Sequence, residues 1–150
     1  MGKVLIVDDG STDGTAEAAR RAIEHLGLTA ACTVLQLEQN GGKSAALKKA
    51  FVETTGDLVI VQDADMEYDP DDIVSLLRPV LKNRADAVVG SRFIGGHPRR
   101  VVYLSNAVGN RLMSSLFSLT SGLRLTDIHC CYILLPGDLA RASADHITSS

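Results

Sequence analysis

Cysteine is scarce in this chain, positive charge is outnumbered, and no long apolar run is present; each shortage removes a class of protein. The three cysteines, Cys32, Cys130 and Cys131, cannot all pair and form no metal-spaced set. That excludes a disulfide scaffold and points to a reducing, cytoplasmic compartment. Lysine and arginine number 15 against 18 acids, giving a net charge of −3 and a pI near 5.7. Nucleic acid is therefore not an expected partner, because neutralising its phosphates needs a basic face. The longest apolar-rich stretch, Val101 to Leu119, is broken by Ser105, Asn106, Asn110, Arg111, Ser114, Ser115 and Ser118. It falls short of the roughly 20 apolar residues that span a bilayer, so any meeting with a membrane is expected at the surface. Met1-Gly2-Lys3 leads into an apolar run too short for a secretory core. Gly41-Gly42-Lys43-Ser44 lacks the first glycine of a phosphate-cradling G-x-x-x-x-G-K-S loop, since Leu37 occupies that position.

With 45% hydrophobic and 22% charged residues over 150 positions, the chain reads as a single globular domain, residues 1–150. Strand-like and helix-like segments alternate. Val4 to Val7 is a β-branched run ending in Asp8-Asp9-Gly10. Ser11 and Thr12 are candidate caps for a helix that runs to about Leu26, with Gly27 as its stop. Cys32 to Leu37 reads as a strand, and Gly41-Gly42 precedes a helix carrying Ala45, Leu47, Ala50 and Phe51. Asp57 to Gln62 is the third strand. Asp69 and Pro70 open a helix with Ile73, Leu76, Leu77 and Val80 on one side. Ala87 to Val89 is the fourth strand, closed by Gly90. Apolar strands separated by amphipathic helices predict an α/β domain of three layers, an αβα sandwich around a mainly parallel sheet.

In such sheets ligands collect beyond the carboxyl ends of the strands. Asp8-Asp9, Asn40 to Lys43, Asp63 to Glu67 and Ser91-Arg92 are all expected there, in one site. The sharpest feature is Asp63-Ala64-Asp65, directly after Leu58-Val59-Ile60-Val61-Gln62. Alone, such a pair reads as a solvated loop. In this company it reads as a hard-oxygen site for Mg²⁺ or Mn²⁺, with Glu67 as a further donor and a diphosphate supplying other ligands. Lys43 and Arg92 are candidate cations for the same phosphates. A receiver domain, which also pairs early acids with a later Asp, needs a lysine after its last strand. No lysine follows Lys82.

Four segments carry a family resemblance: Val7 to Thr15 (Val-Asp-Asp-Gly-Ser-Thr-Asp-Gly-Thr), Asn40 to Leu47 (Asn-Gly-Gly-Lys-Ser-Ala-Ala-Leu), Gly56 to Asp65 (Gly-Asp-Leu-Val-Ile-Val-Gln-Asp-Ala-Asp) and Gly90 to Phe93 (Gly-Ser-Arg-Phe). In order and spacing they resemble family 2 glycosyltransferases of the GT-A fold. Asp63 to Pro70 and Leu125-Thr126-Asp127 resemble the branch typified by dolichol-phosphate-mannose synthase. The resemblance implies an inverting transferase that moves a sugar from a nucleotide-diphosphate donor to an acceptor such as a polyprenyl phosphate at a membrane surface. It implies that Val7 and Asp9 lie against base and ribose, with Ser11, Lys43, Asp63 and Ala64 completing the nucleotide-sugar site. It further implies that Asp63, Asp65 and Glu67 serve the metal, and that Asp65, Arg92 and Asp127 act in catalysis. A sugar-hydroxyl acceptor would need Asp127 as base; an ionised phosphate would not.

The sequence departs from that family in three ways. Met1-Gly2-Lys3 enters what resembles the second strand, so the usual first strand is not expected, and the exposed ladder edges predict self-association or a rearranged edge. Relatives carry Asp-x-Glu-x-Cys-Tyr-Lys where this chain reads Asp127-Ile128-His129-Cys130-Cys131-Tyr132-Ile133, so His129 replaces an acid and Ile133 a cation. The chain also stops soon after Asp138 to His146. These departures keep open an alternative: a nucleotide- and metal-binding fragment or assembly module with weak or no transfer. Val101 to Leu119 has apolar residues in helical recurrence, which reads either as a core-facing helix or as an interfacial helix beside a lipid acceptor.

Overall fold

The computed structural model describes residues 2–65, 68–91, 104–123, 125–127 and 130–148, with the backbone alone for 104–108. In chain order the main elements are β1 (Val4–Asp8), α1 (Thr15–His25), β2 (Cys32–Gln36), α2 (Gly42–Glu53), β3 (Leu58–Val61), α3 (Ile73–Leu81), β4 (Val88–Val89), α4 (Leu104–Ser121), β5 (Ile133–Pro136) and α5 (Gly137–Ser143). They fall into two compact units: Met1–Val59 with Pro136–Ser150, and Ile60–Leu135. The α/β class holds.

In the first unit β1 and β2 pair in parallel, Val4 opposite Cys32 and Asp8 opposite Gln36. Parallel neighbours need a crossover, and α1 supplies it. Its start lies later than Ser11 and Thr12 suggest. Gly14 (φ 84) precedes the helix, and the amide and hydroxyl of Thr15 donate to Asp13 Oδ1 at 3.0 and 2.6 Å. The Thr15 hydroxyl, then its amide, holds the Asp13 carboxyl below the ordinary carboxylate range. The helix ends at Gly27 (φ 66) as expected. There the Leu28 amide donates to Ile23 O at 2.9 Å and the Gly27 amide to Glu24 O at 3.0 Å, the paired closure that a left-handed glycine permits. α2 packs on β1 and α5 and buries Phe51.

Strands β3, β5 and β4 form a second sheet in that order. β4 runs antiparallel to β5, with Val88 opposite Leu134, whose side chain is fully buried. A single, mainly parallel sheet was expected; among the described residues there are two sheets, and of the registered pairs one is parallel and one antiparallel. Neither β5 nor α5 was anticipated. Ile133 to Pro136 is too short to show a period, and it becomes a strand because it has neighbours on both sides.

Asp69 and Pro70 act as foreseen: Asp69 Oδ1 accepts from the Asp71 amide at 3.0 Å, and the turn Pro70–Asp72 leads into α3. α4 departs from the core-facing reading. Leu112, Phe117 and Leu119 are exposed, whereas Asn110 and Ser114 are buried. The helix turns its polar stripe inward because that stripe has hydrogen-bonding work to do in the segment that follows it.

Candidate functional site

The expected site residues lie on both units, and each half has its own geometry. In the first unit β1 delivers Val7, half-buried, and the loop after it carries Asp9 and Ser11. Asp8 Oδ1 accepts from the Ser11 amide at 2.9 Å, which curls the loop back on the strand end. Asp9 Oδ1 accepts from the Gly41 amide at 2.9 Å and fastens this loop to the start of α2. Close approach is possible because residue 10 is glycine: with φ at 73, a Cβ there would stand 2.8 Å from Asn40 N. Asp9 and the Asn40 to Lys43 segment are thus brought together, with Lys43 exposed on the first turn of α2. In the sequence Gly10 and Gly41 stand only as parts of motifs; their close contacts have no signal in a single sequence.

In the second unit Asp63, half-buried, and Asp65, exposed, flank Ala64 on the loop that leaves β3. The Gln62 amide nitrogen donates to Asp63 O at 3.0 Å and to Tyr68 O at 3.3 Å, tying the two ends of this loop together. Tyr68 and Tyr132 then clasp it to the segment before β5. Their rings lie 5.2 Å apart and tilted by 41°. The Cys131 amide donates to Tyr68 Oη at 3.1 Å, while Tyr132 Oη donates to Asp69 O at 3.1 Å. Each hydroxyl thus meets backbone on the other's segment. Burial foremost, then the carboxylates of Asp72 and Asp69, raise the Tyr132 phenol above its ordinary value of 10.0 and keep it protonated as a donor.

A raised native pKa means that the unfolded chain ionises first, so the stabilisation is complete below pH 10.0 and is lost as pH rises through the native value. Tyr132→Phe keeps the ring and removes the donor. It is expected to cost about 1 kcal/mol at pH 7 and to flatten the alkaline fall in stability, read by urea unfolding at pH 7 and above pH 10. An unchanged alkaline slope would dismiss this account.

Asp127 is 1% exposed, and its Oδ1 accepts from Asn110 Nδ2 at 2.9 Å. One helical turn further on, Ser114 is buried, and after another turn the Ser118 hydroxyl accepts from the Leu125 amide at 3.3 Å. The inner face of α4 therefore holds the Leu125–Asp127 segment. Sequence reading missed Asn110, although the spacing of Asn110, Ser114 and Ser118 marks one helix face. Glu67, Arg92 and His129 lie outside the described residues. Among the described residues no group of three or more His, Cys, Asp or Glu could hold a metal. Two oxygen donors on an open loop, leaving most positions to phosphate and water, nevertheless fit the chemistry of Mg²⁺ or Mn²⁺.

A family model described as glycosyl transferase family 2 matches residues 3–138. The chain belongs to glycosyl transferase family 2. Among the proteins it resembles, a dodecaprenyl-phosphate galacturonate synthase from Rhizobium johnstonii is 34% identical over 60% of this chain and 26% of its own length. A dolichol-phosphate mannosyltransferase from Pyrococcus furiosus is 33% identical over 63% of the chain and 25% of its length. A UDP-N-acetylglucosamine–dolichyl-phosphate N-acetylglucosaminyltransferase from Methanococcus voltae is 31% identical over 83% of the chain and 54% of its length. The chain thus spans about a quarter to a half of these relatives.

Proposed function

We propose that this chain is a GT-A-type, inverting glycosyltransferase domain that moves a sugar from a nucleotide-diphosphate donor to a polyprenyl phosphate. The observation that carries the reading is the loop after β3, which presents Asp63 and Asp65 in a chain matched over residues 3–138 to family 2. Relatives named for dodecaprenyl and dolichyl phosphates support a lipid-linked acceptor.

In this reading Val7, Asp9 and Ser11 hold base and ribose, with Lys43 on the donor phosphates. Asp63, Asp65 and Glu67 hold a divalent cation, which when bound offsets the charge of the departing diphosphate. Arg92 meets donor or acceptor phosphate oxygens. A phosphate acceptor arrives ionised, so no proton has to be removed from it. That suits Asp127, whose enclosure and bond from Asn110 support a positioned carboxylate on the acceptor side better than a base open to bulk solvent. Work on such an acceptor belongs at the cytoplasmic surface of a membrane, and any self-association belongs to the open edge of β1.

Thermal denaturation with Mg²⁺ or Mn²⁺ against UDP-, GDP- and dTDP-sugars tests the donor site. One donor is expected to stabilise the chain only when metal is present; silence across the panel would remove the reading. His129 and Ile133, which stand where the resemblance implies an acid and a cation, favour a second reading, binding without transfer. A donor that stabilises the chain but yields no glycosylated polyprenyl phosphate would select it.

A further inference from the structure

Asn110 stands inside α4, where asparagine is a poor helix former because its amide competes for backbone bonds. It is nevertheless buried, and its Nδ2 donates to Asp127 Oδ1 at 2.9 Å. Two apolar side chains of similar shape would hold this corner about as well, since a buried polar pair gains little over its apolar replacement. Stability alone therefore does not account for the pair. Neither does charge neutralisation. A lysine or arginine in place of Asn110 would offset the Asp127 charge, whereas a neutral amide fixes the carboxylate in one orientation and leaves its charge in the site.

The hold on Asp127 is continuous with the loop after β3. Ser118 Oγ accepts from the Leu125 amide, so one face of α4 grips the 125–127 segment at both ends. Beyond it the Cys130 amide donates to Asp127 O at 3.3 Å, and the Cys131 amide donates to Tyr68 Oη at 3.1 Å. Gln62 Nε2 then ties Tyr68 O to Asp63 O. All of these residues lie in the unit Ile60–Leu135. The place of Asp127 relative to Asp63 and Asp65 is thus anchored at one end by Asn110.

We infer that Asn110 is a positioning residue for sugar transfer: it holds the Asp127 carboxylate in the orientation that the acceptor side needs, and it acts through Asp127. The inference rests on the acceptor-side role proposed above for Asp127. The test is steady-state transfer by the full chain with Mg²⁺ or Mn²⁺, the nucleotide sugar that the thermal panel selects, and undecaprenyl phosphate as acceptor. Asn110→Leu keeps the branched shape and removes the donor. Its kcat is expected to fall about 10- to 100-fold, the loss that follows a misplaced reacting group, with the donor KM within about twofold of wild type. Far-UV circular dichroism and the metal-dependent donor shift should stay at wild-type values. Asn110→Ala, which suits a helix and also lacks the donor, is read in the same way if the leucine variant does not fold. Asp127→Asn is expected to lose at least as much kcat, and adding Asn110→Leu to it should cost less than about twofold more, because nothing is left to position. An asparagine with a merely structural role would lower kcat by the same factor in either background. Wild-type kcat in the Asn110 variants, losses that multiply in the double variant, or a wild-type chain that transfers nothing overturns the inference. Asp127→Asn that transfers at the wild-type rate would instead remove the role of Asp127 itself, and the inference with it.

Discussion

Asp65→Ala is expected to abolish the metal-dependent stabilisation by a nucleotide-diphosphate sugar. The argument starts from coordination. The described loop after β3 offers two carboxylates, Asp63 and Asp65, and a hard divalent cation held by so few protein oxygens loses a large part of its protein anchorage with either one. A ligand present at about 100 times its Kd stabilises by about 2.7 kcal/mol, which for a chain of this size raises Tm by about 5–10 °C. In the variant that rise should vanish for donor and metal together, while the ligand-free Tm stays close to wild type because Asp65 is exposed. Where transfer is measurable, kcat should fall on the order of 100-fold, the usual consequence of deleting one group that stabilises developing charge. A variant that keeps the full donor shift would place the cation elsewhere.

Gly137→Ala is expected to produce the largest loss of stability. Gly137 joins β5 to α5, and its amide donates to Asp57 O at 2.7 Å. A Cβ added there would run into the carbonyl oxygen of Gly56 and stand 3.0 Å from its carbon. Both are backbone atoms, so no rotamer change relieves the overlap. The β5–α5 corner must withdraw from the 54–57 segment, lengthening the Gly137–Asp57 bond and the contact of Arg141 Nη1 with Thr54 O, now 3.4 Å. Overpacking that the backbone has to absorb costs about 3 kcal/mol, or a fall in Tm of about 6–12 °C. Gly109→Ala is the control: an added Cβ meets nothing within 4 Å, and alanine suits a helix better than glycine. If both variants melted together, the steric account would be wrong.

Local chemistry was legible along the chain wherever one residue type answers one local need. The β-branched runs around Val4, Val34 and Val59 became strands, Gly27 stopped α1, and Asp69 with Pro70 opened the turn into α3. The same holds for Asp63-Ala64-Asp65, whose place at a strand end follows from the apolar run before it. The start of α1 was misread because Ser11 and Thr12 both suit the role of cap, and only the backbone path, with Gly14 left-handed at the N-cap, moves it later.

What a linear reading could not reach are the choices made between distant segments. Leu112, Phe117 and Leu119 recur as a core-facing stripe would, yet they face outward, because the enclosed carboxylate of Asp127 needs a donor and Asn110 supplies it from the other face. Tyr68 and Tyr132 stand 64 positions apart with no shared pattern, and the backbone that each hydroxyl meets belongs to the other's segment. Composition and periodicity therefore carry the α/β class, which depends on short-range preference, and the order and spacing of the motifs carry the resemblance to family 2. The pairing of β1 with β2 apart from β3, β5 and β4, the burial of Asp127 and the outward turn of α4 were decided in three dimensions. There a buried polar group must be satisfied before an apolar one can claim the same face.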